Sequence, residues 1–243
     1  VVEIIEQDIA MSAKVMQLVN SAFFGIYKKV ESPGRAVALL GLDTIKILVL
    51  GVEIFSQVKM PKEIFQIDML WSHSLAVGKI AKAIASHATE DKDIINNAFL
   101  AGILHDIGKL ILVSHLPEQY RQVIDLACEK KITLPEAEQA IFGVDQGAVG
   151  AYLIGLWGFS SPIVEAIGFN HSLGKYPTSS VTPALVVHVA NVLYYWNRPD
   201  EIVGRGQCLH MQVIERLALQ DKIPDWERIC TEIMQVQEGR QSP

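Results

Sequence analysis

His105 and Asp106 stand side by side in the apolar run Ala101-Gly-Ile-Leu-His105-Asp106-Ile-Gly-Lys109-Leu110. An imidazole and a carboxylate so placed can both reach one divalent cation. A lone His-Asp pair says little, so its surroundings must decide. Upstream, Ile94, Ala98 and Ala101 recur at helical spacing and lead to His105, which turns the imidazole towards a core. A second histidine, His73, lies on the stripe His73, Val77, Ile80, Ile84, which also faces inward. Two inward histidines and one inward aspartate on two helices have the donor types of a hard-cation or transition-metal cluster. The same residues equally make a hydrogen-bonded polar core.

The elements that position these residues read as helix after helix, with no sustained alternation of the strand type. Asp8 is placed to cap a helix that runs to about Asn20, with Ile9, Met11, Val15, Leu18 and Val19 on its apolar side. Ser21 to Gly25 reads as a turn, with Asn20-Ser21 ending the helix. Ser32-Pro33 opens a short helix that Gly41 closes. Residues 43–57 form the next helix, too apolar from Thr44 to Phe55 to lie in a DNA groove. Beyond Pro61, helices are predicted at about 63–87, 93–113 and 117–130. Thr133 and Glu136 have capping-box spacing for a helix to about Phe142. A small-residue helix spans Asp145 to Trp157, another starts at Ser161-Pro162 and ends near Asn170-His171, and 184–196, 211–219 and 224–238 complete the set. Trp71 and Trp157, at helix ends, are read as core plugs.

Composition narrows the function classes. The net charge of −6 and the lack of a dense Lys/Arg block argue against a nucleic-acid face, which needs clustered cations. Half of the 243 residues are hydrophobic, which points to a well-buried domain or to contact with a partner. Cys128, Cys208 and Cys230 show no metal or disulfide spacing, in keeping with a reducing cytoplasm. The apolar stretch Ala36 to Phe55 is broken by Asp43, Lys46 and Glu53, so no membrane span is expected, and no signal peptide is read. The chain opens on Val1 in what reads as part of a helix, and a preceding segment is expected.

The order of His73, then His105-Asp106 with Lys109, then the inward run Val186-Val-His188-Val-Ala-Asn191, resembles the HD superfamily of metal-dependent phosphohydrolases. The runs Glu6 to Gly25, Arg35 to Gly41 and Gly150 to Ile163 are similar to its HDOD branch, the HD-related output domains of bacterial signalling proteins. This resemblance covers nearly the whole chain. It implies an all-α, multi-helix HD-like bundle with an added N-terminal helical lobe, residues 1–60, on a core of residues 61–243, together one compact unit.

The resemblance also implies a ligand set, onto which His73, His105 and Asp106 map, with Asn191 standing where the final Asp belongs. Neighbouring positions have drifted to Gln146 and to Asn170 beside His171, and no Gly-Tyr-Pro element follows. Gln and Asn are poorer ligands than imidazole, and Asn191 removes a negative charge. The expectation is therefore a vestigial cluster of His73, His105, Asp106, Asn170, His171 and Asn191 with no catalytic residue and no resident metal, a divalent ion being held weakly at most. Lys109 would touch a phosphate if the site were active; here it is read as a surface cation or as the partner of an acidic side chain. The implied role is a non-enzymatic signal-output or scaffold domain of a bacterial regulatory protein. It would act in the cytoplasm through a signalling partner, an adjoining regulatory domain or a sensed ligand, without nucleic acid or membrane. The competing class is a metal-dependent phosphohydrolase acting on a nucleotide or cyclic dinucleotide.

Overall fold

The computed structural model describes residues 5, 9–21, 24, 26, 29–57, 64, 66–198, 202–204 and 206–238, and among these it contains helices and no strand. The chain divides into two compact units, residues 1–58 with 235–243, and residues 59–234.

The first unit holds α1 (Ile9–Val19), α2 (Pro33–Leu40) and α3 (Leu42–Gln57). Val15, Val19, Val30, Ala36, Ile45 and Leu48 are buried, as the helical spacing of the apolar residues requires. Asn20 does more than end α1. Its amide donates to the carbonyls of Met16 and Val30, at 2.9 and 2.8 Å, and its oxygen accepts from the Val30 N–H at 2.7 Å. One side chain thus ties residue 30 to the end of the helix. Ser32 caps α2 through Arg35 N–H, and Gly41 ends it at φ 84°, a backbone state that L side chains avoid. Asp8, and residues 22, 23 and 25 of the expected turn, lie outside the described residues.

The second unit carries the cluster. Its helices are α4 (Ile67–Ala88), α5 (Lys92–Leu104), α6 (Ile107–His115), α7 (Pro117–Lys130), α8 (Leu134–Phe142), α9 (Gln146–Leu156), α10 (Ser161–Phe169), α11 (Pro183–Trp196), α12 (Met211–Arg216) and α13 (Ile223–Glu238), whose last residues fall to the first unit. The central element is α11, buried from Pro183 to Tyr195 and packed on α4, α5 and α10. α4 and α5 meet where Gly78 and Gly102 face each other: a Cβ built on Gly102 would lie 2.6 Å from the Gly78 Cα. Gly108 brings the start of α6 against α9 in the same way, since an added Cβ would run into the Gln146 carbonyl. The capping box at Thr133 and Glu136 forms as its sequence signature requires, and Asp145 caps α9 by accepting from the Ala148 N–H.

Three expectations need correction. The helix read over 93–113 is broken at His105-Asp106, where Asp106 sits at φ −99°, ψ 12°. The reason is local: the His105 Nδ1–H takes the Gly102 carbonyl at 2.7 Å, a side chain competing for a backbone acceptor. The run Lys92–His115 is long and apolar enough to cross a membrane by length and composition, but 83% of its apolar window is buried inside the fold. Second, the helix read to about 219 stops at Arg216, and Ala218 takes φ 54°. Third, Trp157 is not a core plug, being 44% exposed, and Trp71 is half-buried; the tryptophan that fills the core is Trp226.

Candidate functional site

The break between α5 and α6 places His105 and Asp106 opposite His73 of α4 and Asn191 of α11, all four buried. The two imidazoles meet edge-on, with Nε2 to Nε2 at 3.1 Å. Their tautomers follow from the bonds around them. A carbonyl only accepts, so His105 carries its proton on Nδ1 towards Gly102, and its Nε2 is a lone pair. His73 must then donate from Nε2, which leaves its Nδ1 as a bare acceptor, and that atom is buried without a partner. Tyr194 and Tyr195 of α11 pack their rings on His73. Burial, first of all, lowers the pKa of both histidines, so the pair is neutral.

Asp106 is the single carboxylate of the cluster. Its Oδ2 accepts from Lys109 Nζ at 2.6 Å, and both side chains are about fully buried, at 1% residue exposure each. The surface-cation reading of Lys109 is thus overturned, and its alternative, a partner for an acid, holds. Burial pushes the Asp106 carboxyl up, but His105, Lys109 and His73 around it bring it well below the carboxylate range. Lys109 is the one of the three that also donates a hydrogen bond to it, at 2.6 Å. The Nε2 atoms of His73 and His105 lie 3.6 and 3.5 Å from the two carboxylate oxygens, too far for good hydrogen bonds.

The ligand atoms of His73, His105 and Asp106 all fall within 4.8 Å of one another. Asp106 Oδ1 and Asn191 Oδ1 are buried and without partners. These two oxygens and the two imidazoles fit a divalent metal in type and number. In charge they do not favour it: the set holds one anion, already compensated by Lys109.

Gln146, Asn170 and His171 form a second group. Gln146 Nε2 and Asn170 Nδ2 both approach His171 Nε2, at 2.6 and 3.3 Å. One ring nitrogen cannot satisfy two whole amides, and Oε1 of Gln146 and Oδ1 of Asn170 remain buried without partners. The Gln146 backbone N–H donates to Glu138 Oε2 at 2.7 Å, and the other oxygen of Glu138 accepts from the Tyr120 hydroxyl at 2.6 Å. Glu138 was not among the sequence candidates, though its place on the stripe Leu134, Ala137, Glu138 of α8 marks it as an acid at a core position. His188 and His210 were likewise missed as a unit. His188 donates from Nδ1 to the Asn170 carbonyl at 2.7 Å and accepts the His210 N–H at Nε2, 3.3 Å away. Nothing in the local pattern around His210 announces this contact.

Burial lowers His171 to about 3 and His188 to about 4, while burial raises Glu138 to about 7. A histidine depressed in the fold gives stability that is present above its unfolded pKa of 6.5 and lost as pH falls towards the folded value. Glu138 acts the other way, its contribution being full below its unfolded pKa and lost as pH rises through 7. The urea midpoint should therefore fall as pH drops from about 6.5 to about 4. In Glu138→Gln the fall should be steeper, and stability at pH 8 should rise. Parallel curves for the two proteins would show that Glu138 is not buried as an acid.

The family profile of the HDOD domain matches residues 1–173. The chain is 27% identical over 177 residues to an uncharacterized protein of Treponema pallidum, covering 73% of this chain and 34% of that protein. It is 31% identical over 136 residues to the cyclic di-GMP phosphodiesterase CdgJ of Vibrio cholerae, covering 56% of this chain and 29% of the relative. It thus spans about a third of the length of these curated relatives. Among solved structures, an HDOD domain protein from Geobacter sulfurreducens is similar at TM-score 0.77 and 26% identity, over 98% of this chain and 83% of that one. With the helical order, the His-Asp break and a match over more than half of its length, the chain belongs to the HDOD domain family.

Proposed function

We propose that this chain is a non-catalytic signal-output or scaffold domain of a bacterial regulatory protein, working in the cytoplasm through a protein partner, an adjoining regulatory domain or a sensed ligand. The observation that carries this reading is the buried Lys109–Asp106 pair at 2.6 Å, in a cluster where Asn191 stands for a second acid. A hydrolytic metal site must hold its ion firmly enough to bring bound water towards neutrality, and two neutral imidazoles, one paired carboxylate and an amide supply little charge for that. Exposed apolar residues that a partner could cover include Leu39 and Leu42 of the first unit and Tyr152, Leu156 and Trp157 of the second. The reading includes no role for nucleic acid or membrane.

A second reading is favoured by the convergence of His73, His105 and Asp106 and by the two unpartnered oxygens beside them. In it, His73, His105, Asp106 and Asn191 hold a divalent ion, and the chain is a phosphohydrolase acting on a nucleotide or cyclic dinucleotide. The ion would supply an activated hydroxide. Lys109 would then be free to meet a phosphate.

Incubation with cyclic di-GMP and Mn2+ or Fe2+ separates the two. The output-domain reading predicts the same background hydrolysis for the parent chain and for Asp106→Asn. Turnover by the parent that disappears in Asp106→Asn would establish the phosphohydrolase instead.

A further inference from the structure

One face of α9 is buried and the other is bare. Gln146, Gly147, Gly150 and Ile154 point into the second unit, where a Cβ added at Gly147 would lie 3.0 Å from the Gly168 carbonyl and one at Gly150 3.2 Å from the Gly108 nitrogen. The opposite stripe, Ala148, Tyr152, Gly155 and Leu156, recurs at helical spacing and is exposed, and Trp157 follows it at the helix end. Tyr152 is 72% exposed, Leu156 67% and Trp157 44%. Side chains of this size at these exposures leave on the order of 400 Å² to water, about half of the ~800 Å² that each partner gives to a standard interface. Ala148 and Gly155, exposed on the same stripe, extend it.

Charge and size say what covers this face. No residue from Gln146 to Val164 is charged, in a chain where 20% of residues are. Two copies of net charge −6 repel each other, and a neutral patch is where they meet without opposing like charges or stripping water from one. A membrane surface is a poorer fit, because an interfacial helix brings Lys or Arg beside its apolar face and this stretch has neither. Ala148 and Leu156 each stand four residues from Tyr152. In an antiparallel pair of α9 helices with the twofold axis at Tyr152, the small Ala148 of each copy therefore lies opposite the large Leu156 of the other. Asp145 then faces the level of Phe159, whereas a parallel pair would set Asp145 on its own copy.

We propose that the Tyr152–Leu156–Trp157 face binds a second copy of this chain, α9 against α9, antiparallel about a twofold axis at Tyr152. The inference goes beyond the output-domain reading and is independent of the chemistry of the His-Asp cluster.

Sedimentation equilibrium of the intact chain, at concentrations up to about 100 µM, reads the mass directly. At the top of that range it should approach twice the 26.9 kDa of one chain and fall on dilution. Leu156→Glu, present twice in the dimer, should raise the dissociation constant about 100-fold. Met69→Glu, at an exposed apolar residue of α4, should leave it within about twofold. Adding Ala148→Lys to Leu156→Glu sets a lysine opposite each glutamate across the axis and should recover roughly tenfold. Within one chain the two positions are two helical turns apart, so recovery reports contact between copies. A parent chain that stays at 26.9 kDa throughout overturns the proposal, whatever the variants do. A dimer that Leu156→Glu leaves intact, or that Ala148→Lys does not restore, overturns it as well. Phosphatidylcholine vesicles complete the test: a monomeric parent that floats with them, and no longer does so as Leu156→Glu, would make the face a membrane surface instead.

Discussion

Asp106→Ala is expected to lower the unfolding free energy by about 3–5 kcal/mol, the cost of leaving a buried charge without its partner. The charge is Lys109, whose Nζ lies 2.6 Å from Asp106 Oδ2 with 2% of its side chain exposed. Urea unfolding followed by circular dichroism measures this. The companion variant Lys109→Met strands the carboxylate in turn, and the double variant Asp106→Ala with Lys109→Met removes both charges. Its loss should be smaller than the sum of the two single losses by a coupling on the order of 1–3 kcal/mol. Additive losses would mean that the pair does not interact in solution. An unchanged midpoint in Asp106→Ala would mean that the cluster does not support the fold.

Gly108→Ala should destabilise at least as strongly, by about 3 kcal/mol or more, and for a steric reason instead of an electrostatic one. A Cβ there meets the carbonyl of Gln146 and the N–H of Gly150, which are backbone atoms of α9 and cannot swing aside as a side chain can. Because the same contact seats α6 and its Lys109 against the helix that carries Gln146, the variant should also lose the cooperativity of its melting curve. Gly155→Ala is the control on α9: its added Cβ meets only Val164 Cγ1, at 4.0 Å. Gly155→Ala should be neutral or slightly stabilising through helix propensity. Comparable losses in the two variants would show that the α6–α9 approach is not as close as described.

The helical spacing of apolar residues was enough to turn His73 and His105 inward, and the cap signatures at Ser32 and Thr133 were enough to start two helices. These are local signals, set within one turn of chain. The family resemblance supplied Asn191, which lies far along the chain from the other members. What local reading missed was decided by contacts between distant segments or by competition within one. Lys109 shares a face with His105 at i+4, yet a lysine is read as solvated unless its acid is known, and the break at His105-Asp106 is what brings Asp106 to it. That break depends on the His105 ring taking the Gly102 carbonyl, which no periodicity encodes. Glu138 and Tyr120 are 18 residues apart and meet across two helices, and His210 reaches His188 only because the chain after α11 folds back. Trp157, at a helix end, reads as a core plug, whereas it stands exposed at the end of α9.

The central claim is that the His-Asp cluster serves the fold with its charge already balanced by Lys109. Metal content tests it most directly: the chain is purified without chelator, passed through gel filtration, and assayed by inductively coupled plasma mass spectrometry for Mn, Fe and Zn. The account predicts substoichiometric metal, released by dilution and unchanged in Asp106→Asn. Near-stoichiometric Mn, Fe or Zn that survives gel filtration in the parent chain and is lost in Asp106→Asn would contradict it.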